Sequence, residues 1–534
     1  MMKFIRWRRL LTIMSFTATV FVAGACLEEL NNLDEIGGAV TPAIEFPLVN
    51  SDFTLEEFLL EGETLGLVSD ENGVIVITYK DTLVTPRAET FFNVPDQQSP
   101  TVSFNGPDVV FPGPGFSFTF TDSRTFTINS TEQLDSILFK SGQMVFNIQS
   151  DMPTNINLTV AIQSLQGAGG NVFSQNFVLN GPASINPSFD LQGSSLDLTD
   201  GGTTNNTIAF SITAVVTNNG AALSGTSFSF NFELNNLLFR GLFGQLTSRN
   251  YQTPVNTLDI DVFNNMDQGS FSLVNPMISL DVANSFGLPL TFDISQFTAI
   301  QKNGNVIPLS GPAASAPLNP YLIAAPTITQ LGQVAVSNIS VTGANSNIDQ
   351  MLSALPDNLV YTFSGQLNPG GATNNFVLDE SRMVIGVDVA LPLHGTLSGL
   401  EMSKQFDFDG LGIDDVLESK VVVKTVNEFP LDVFIQAYFL NGSGGIIDSL
   451  FVDNENFLKA ASVDANGFTQ APVESIKTVV LDQAKADRID QATFLLLTAT
   501  LGTTNNGTVP VKLAIDDRLR VSIGVNAKVE YKVN

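Results

Sequence analysis

A chain of 534 residues, 43% of them hydrophobic and 41 of them Phe, has room for several cored domains, which excludes global disorder. Its 53 acidic side chains against 24 basic ones give a formal net charge of −29, a surface that repels phosphate backbones, so no nucleic-acid partner is expected. Charged residues make up only 14%, leaving Asn, Thr, Ser and Gln to cover the surface, a mixture typical of extracellular β-proteins.

Residues 1–25 have the parts of an export signal: basic Lys3, Arg6, Arg8 and Arg9, an apolar run over residues 10–22, and the small residues Ala23, Gly24 and Ala25. The single cysteine, Cys26, follows at once, so no intramolecular disulfide can form. This arrangement resembles a bacterial lipoprotein signal peptide, departing from it at Ala23, where Leu is commoner. The resemblance implies that Cys26 carries an N-terminal lipid and that the membrane is the first partner. The alternative, an uncleaved span, suits the apolar run less well because it is short for a bilayer. Several acyl chains, each contributing about 0.8 kcal/mol per buried methylene, anchor a protein stably. Removal of the leader leaves 20 basic side chains against the same 53 acids.

Residues 26–41 form an acidic tether with Glu28, Glu29, Asp34 and Glu35. It resembles the surface-export signal of Bacteroidota lipoproteins, which implies an outer-membrane, surface-exposed location. A plain solvated spacer on the periplasmic face is the alternative. Residues 42–124 read as a β-rich N-terminal region. Thr54 and Glu57 form a capping-box pattern for a short helix over 55–60. Asp70 to Gly73 is a turn before a strand over 74–79, and Phe116, Phe118 and Phe120 alternate with period two after a Pro-rich break.

The remainder repeats. Residues 421–447 read strand, kink at Phe429-Pro430, strand and Gly-rich turn; residues 271–307 and 144–173 repeat that pattern around Pro289 and Pro153. A period of about 140 residues means a repeated domain, not a solenoid unit. The predicted copies are 125–256, 257–404 and 405–534. Each opens on an alternating strand, marked by Phe126 and Ile128, Leu258 and Ile260, or Phe406 and Phe408. The second halves also recur, with turns at Asn218-Asn219-Gly220, Asn368-Pro369-Gly370 and Asn505-Asn506-Gly507. Closing strands contain Ile385-Gly386-Val387 and Ile523-Gly524-Val525. Helices are expected only over 349–355 and 479–488, at equivalent places. Short strands punctuated by Asn/Gly turns predict an all-β fold of tandem immunoglobulin-like antiparallel β-sandwich domains with a few short helices.

Leu280, Val282 and Asn284, then Leu288-Pro289-Leu290 and Phe292, then Asn303-Gly304 with Val306-Ile307, resemble the late-embryogenesis-abundant (water-stress and hypersensitive response) domain. The third copy matches with Val423, Asn427, Phe429-Pro430-Leu431, Val433 and Gly445-Ile446-Ile447, whereas the first has Ser150 for the Asn and Thr154 after its Pro. The resemblance covers 30–40 residues per copy and implies a sandwich without an active site.

Chemistry is sparse. His394, in the sequence LPLHGTL, is the only histidine, and no nucleophile motif accompanies it, so a surface role is expected in place of hydrolysis. Asp407, Asp409, Asp415 and Glu418 sit at positions 1, 3, 9 and 12 of a calcium-loop pattern, but Leu411 occupies position 5. Their alternation with Phe406 and Phe408 also suits the solvent face of a strand. No catalytic residue and no cofactor beyond the lipid is expected. The expected function is a non-enzymatic envelope lipoprotein that is structural or binds an envelope protein. A lipid-binding carrier or tether with elongated β-domains is the alternative. The variable segments 165–206, 310–357 and 453–490 are the expected binding regions.

Overall fold

A computed structural model describes residues 43–54, 66–108, 115–217, 219–263, 268–408, 416–451, 456–505 and 507–529. The fold is all-β and antiparallel throughout. The N-terminal stretch supplies β1 (Ala43–Thr54), β2 (Gly66–Ser69), β3 (Ile75–Val84), the short helix α1 (Ala88–Phe91), β4 (Gln97–Gln98) and β5 (Val102–Asn105). In β3 the period-two pattern buries Ile75, Ile77 and Tyr79 and turns Val76, Thr78 and Lys80 outward.

The first sandwich contains β6 (Ser117–Thr127), β7 (Gln133–Ser150), β8 (Asn155–Gln166), β9 (Val172–Asn180), β10 (Ala183–Ile185), β11 (Ser188–Asp190), β12 (Ser195–Asp197), β13 (Thr207–Thr217) and β14 (Ser227–Gln245). One layer runs β6–β13–β8–β9; the other has β14 beside β7, which in turn pairs with β10 and β11. Strand β12 pairs with both β7 and β8 and joins the layers. Phe228, Phe230 and Phe232 on β14 are buried, and their stripe meets Phe146 and Phe210 in edge-on contacts such as Phe146–Phe230, 5.3 Å between centroids.

The second sandwich contains β15 (Arg249–Gln252), β16 (Asn256–Asp259), β17 (Gln268–Leu273), β18 (Met277–Asn284), β19 (Leu290–Gln301), β20 (Val306–Pro308), β21 (Tyr321–Ile323), β22 (Ala335–Thr342), helix α2 (Ile348–Ser353), β23 (Pro356–Leu367), β24 (Asn375–Leu378) and β25 (Met383–Pro392). Its layers run β16–β23–β19–β20 and β3–β25–β18–β22; β17 is an outlier that pairs in the next sandwich.

The third sandwich contains β26 (His394–Asp407), β27 (Val416–Asn427), β28 (Leu431–Leu440), β29 (Ile446–Ser449), β30 (Asn456–Leu458), β31 (Ser462–Val463), β32 (Thr469–Ala471), β33 (Val473–Asp482), helix α3 (Gln483–Ile489), β34 (Phe494–Thr503), β35 (Val511–Lys512) and β36 (Arg518–Val529). Its layers run β26–β34–β28–β29 and β1–β36–β27–β33.

The same order therefore occurs three times. In each copy the opening strand lies beside the second-half strand, and the closing strand beside the first motif strand. Helices α2 and α3 fall at the same point of copies two and three. Helix α3 starts four residues later than the sequence suggested, because Val479 and Leu481 alternate into the core as strand residues, and Asp482 caps the helix through Lys485 N–H at 2.8 Å. The helix expected over 55–60 lies outside the described residues.

The N-terminal strands occupy one equivalent place in every copy, the edge beyond the closing strand. Strand β1 pairs with β36 of the third sandwich, β3 with β25 of the second, and β4 and β5 with β14 of the first. The stretch 42–124 is continuous in sequence, yet its strands are shared among three sandwiches in reverse order. Each covers a closing-strand edge that would otherwise expose unpaired backbone groups.

Neighbouring sandwiches are also joined by backbone pairing. Strand β24 of the second pairs with β14 of the first, and Phe376 lies against Gly287, where any Cβ would collide with the ring. Between the second and third, Leu393 N–H donates to Ile75 O at 2.7 Å, Ile75 N–H to Leu513 O at 3.0 Å, and Leu513 N–H to Leu393 O at 2.9 Å. One hydrophobic cluster runs from Ile77 to Leu391 through the first two sandwiches, and a smaller one around Phe439, Val479 and Ile489 serves the third.

Candidate functional site

The repeated motif is a hydrogen-bonding device. Asn284 and Asn427 are buried at the ends of β18 and β27, and their side-chain oxygens accept Phe286 N–H and Phe429 N–H, each at 2.9 Å. Their amide groups donate to Ala324 O at 2.9 Å and to Lys459 O at 2.8 Å, which pins a distant loop in each copy. Ser150 holds the same place in the first copy, its hydroxyl accepting Met152 N–H at 3.2 Å. The following prolines are equivalent too: Pro289 O accepts Asn368 N–H at 2.7 Å, Pro430 O accepts Thr504 N–H at 3.0 Å, and Pro153 O accepts the Asn219 amide at 2.6 Å. A buried Asn needs all these partners, so its place in the motif is to hold the kink between two strands.

The calcium pattern lies at the end of an opening strand. Asp407 is the last residue of β26, exposed and opposite Phe494, and Asp259 is likewise the exposed last residue of β16 opposite Asn358. The next residue turns inward in each copy: Ile128, Ile260 and Phe408 donate their N–H to Asn206 O, Asp357 O and Thr493 O. Asp409 and Asp415 lie outside the described residues. Glu418 falls in β27, its backbone opposite Asp482 and Lys528. Among the described residues no three acidic, His or Cys side chains gather as metal ligands. Cys26 and the acidic tether also lie outside the described residues.

His394 begins β26 at the seam between the second and third sandwiches, opposite Lys512. Burial lowers its pKa, the Lys512 charge lowers it further, and Asp70 opposes both. Lys512 Nζ sits 4.6 Å from the Phe468 ring centroid. Three residues past Ala514, Asp517 accepts the Ala514 N–H at 3.0 Å; burial and the neighbouring Glu428 and Asp516 charges push its carboxyl up to about 6. These groups form a polar seam with charge and hydrogen bonds but no serine or cysteine nucleophile among them. Nothing in the sequence around Asp517 signals its environment, which arises only when the 513–515 segment meets Gly73 and Ile75.

A gap between the sheets of the first sandwich, lined by residues including Phe139, Met144, Phe232 and Leu234, is too small to hold a water. Among the described residues no helix is long and apolar enough to cross a membrane.

No known family model matches the sequence, and no curated protein matches it. Among solved structures, a protein described as secreted from Parabacteroides distasonis aligns at 11% identity over 53% of this chain and 84% of its own, with a TM-score of 0.28. The infectious bursal disease virus Gt strain structure aligns at 7% identity over 88% of this chain and 82% of its own, with a TM-score of 0.14. A tandem CBM22 pair from Paenibacillus barcinonensis Xyn10C aligns at 7% identity over 55% of this chain and 98% of its own, with a TM-score of 0.15.

Proposed function

We propose that this protein is a non-enzymatic envelope lipoprotein, held to the outer membrane through Cys26, whose three β-sandwiches present a binding surface to an envelope protein partner. The observation that carries this reading is the lacing of the sandwiches by the N-terminal strands, which begins in the third sandwich. A tether leaving Cys26 reaches β1 after 16 intervening residues, a span of at most about 60 Å. The chain leaving the anchor then enters the fold through the third sandwich. Lacing suits a scaffold, because pull on the anchor is shared among long antiparallel ladders. The resemblance of the motif to late-embryogenesis-abundant sandwiches, which have no active site, and the structural use of Asn284 and Asn427 support the non-enzymatic reading.

The lipid-carrier reading has less support, since the aromatic stripe that would line a tube in the first sandwich is consumed by ring-on-ring packing. Fractionation of cells expressing the full chain and a Cys26→Ser variant tests the anchor. The expected result is membrane-bound parent and released variant; a variant that stays in the membrane fraction contradicts the reading.

A further inference from the structure

Residues 303–348 contain no charged side chain, the longest such run in a chain with 53 acids. Within it Leu322, Ile328, Leu331, Val334 and Val336 are all exposed, Leu322 by 74% and Val336 by 58%. A bond of 2.9 Å from Ala324 N–H to Ser337 Oγ brings the two ends of this loop together, so the apolar side chains flank the start of β22. Among the described residues, strand β22 is the outer strand of its sheet, paired with β18 on one side and with no strand on the other.

Edge strands in soluble proteins are ordinarily guarded by charge, Pro or a bulge. The equivalent edge of the third sandwich, β33, follows that practice with Glu474, Lys477 and Asp482. Strand β22, AVSNISVT, has none of these, and its pairing with β18 is free of bulges over eight residues. Only its C-terminal end is closed, where Asn345 accepts Thr342 N–H and donates to Ser340 O, each at 2.8 Å. The open part is Val336 to Asn338, with the Ser340 N–H.

We infer that β22 is a dimerisation edge, pairing antiparallel with β22 of a second copy of this chain. Unpaired backbone on an edge selects an extended strand as occupant. Charge selects which one. Anionic polymers and membranes are repelled by the acidic body, and a cationic partner is drawn to acids elsewhere on the surface, away from a neutral apolar edge. Two copies of so acidic a chain repel each other least where the chain itself carries no charge, and 303–348 provides that stretch on both sides, with the neighbouring Asp281 carboxylate held by the Asn338 amide. The pairing is isologous, and the register that keeps core-facing and outward residues on their own sides sets Asn338 opposite Asn338 and Val336 opposite Ser340. In that register the apolar loop of each copy lies beside the other copy's edge. The inference does not depend on the lipid anchor.

Cysteine cross-linking of the full chain in a Cys26→Ser background tests this, so that the introduced cysteine is the only thiol. Residues facing each other in an antiparallel pair are within disulfide reach. Asn338→Cys is expected to give a covalent dimer on mild oxidation, and adding Val336→Lys to it is expected to cut the dimer yield at least tenfold. Val178→Cys, on the exposed face of another uncharged edge strand, β9, is expected to stay monomeric on the gel. Absence of dimer from Asn338→Cys, equal dimer from Val178→Cys, or insensitivity to Val336→Lys would each overturn the proposal. Unchanged melting of the Val336→Lys chain guards against misfolding as the cause of a lost dimer.

Discussion

Arg249 Nη2 lies 2.7 Å from Oε1 of Glu132, a carboxylate whose side chain is only 2% exposed, at the joint between the first and second sandwiches. The same carboxylate accepts the Thr247 hydroxyl at 2.9 Å and the Thr131 hydroxyl at 3.0 Å, and it also accepts the Thr247 N–H. Glu132 thus gathers the entry to β7 and the exit from β14 around one buried charge, while the Arg249 guanidinium also lies over the Phe92 ring at 5.8 Å.

Removing the cation while leaving the buried anion is costly. Arg249→Ala is expected to destabilise the first two sandwiches by about 2–3 kcal/mol, read as a shift of their urea midpoint. Arg87 and Glu380 make the contrasting pair, 3.7 Å apart with both side chains well exposed. Arg87→Ala is expected to cost no more than about 0.5 kcal/mol. Equal losses from the two variants would refute the assignment of Glu132 as a joint residue.

The motif asparagines give a second expectation. Asn427→Ala leaves the Phe429 N–H and the Lys459 and Leu431 carbonyls without their partner in a site from which water is excluded. Loss of about 2–4 kcal/mol from the third sandwich is expected in chemical denaturation, and Asn284→Ala should do the same to the second. Ser150→Ala should cost less, about 1 kcal/mol, since Ser150 makes only the turn bond. A near-neutral Asn427→Ala would remove the structural role given to the motif.

Asp517 predicts a pH dependence at the seam between the second and third sandwiches. Its carboxyl is raised from 3.8 to about 6 in the fold, chiefly by burial, so the native state holds a proton that the unfolded chain releases. Its contribution to stability is therefore fully present below about pH 4, is lost as pH rises to about 6, and stays lost above that. Asp517→Asn keeps an acceptor for the Ala514 N–H without the charge. Thermal melts should show the variant more stable than the parent at pH 8 and equal to it at pH 4. The opposite order at pH 8 would show that the carboxylate is stabilised where it sits.

Local patterns were legible in the sequence because they are dictated locally. The alternation that ends in Ile128, Ile260 and Phe408, the Asn–Pro kinks and the Gly-rich turns each follow from burial or backbone geometry within a few residues. Helix α3 starts four residues beyond the point its sequence pattern suggests, because Val479 and Leu481 satisfy either period until the partner strand β27 is known. The destinations of β1, β3 and β5 were not legible. Ala43 pairs with Lys528 and Val84 with Val384, and edge strands of ordinary composition carry no mark of a partner hundreds of residues away. The buried Glu132 was equally silent, since a lone acid in an acidic chain looks like solvent-facing surface until Arg249 is placed beside it. The uncharged run over 303–348 was visible in the sequence, but its exposure was not.

The central claim is that the chain enters through its third sandwich and laces the other two on the way back to the first. Asp52 and Arg520 test it most directly, being register partners on β1 and β36, with Arg520 Nε 3.6 Å from Asp52 Oδ1. In a full-length Cys26→Ser background, the pair Asp52→Cys and Arg520→Cys should form an intramolecular disulfide in most molecules under mild oxidation, detected by mass spectrometry of the joined peptides. Free thiols at both positions in folded protein would contradict the lacing and, with it, the entry of the chain through the third sandwich.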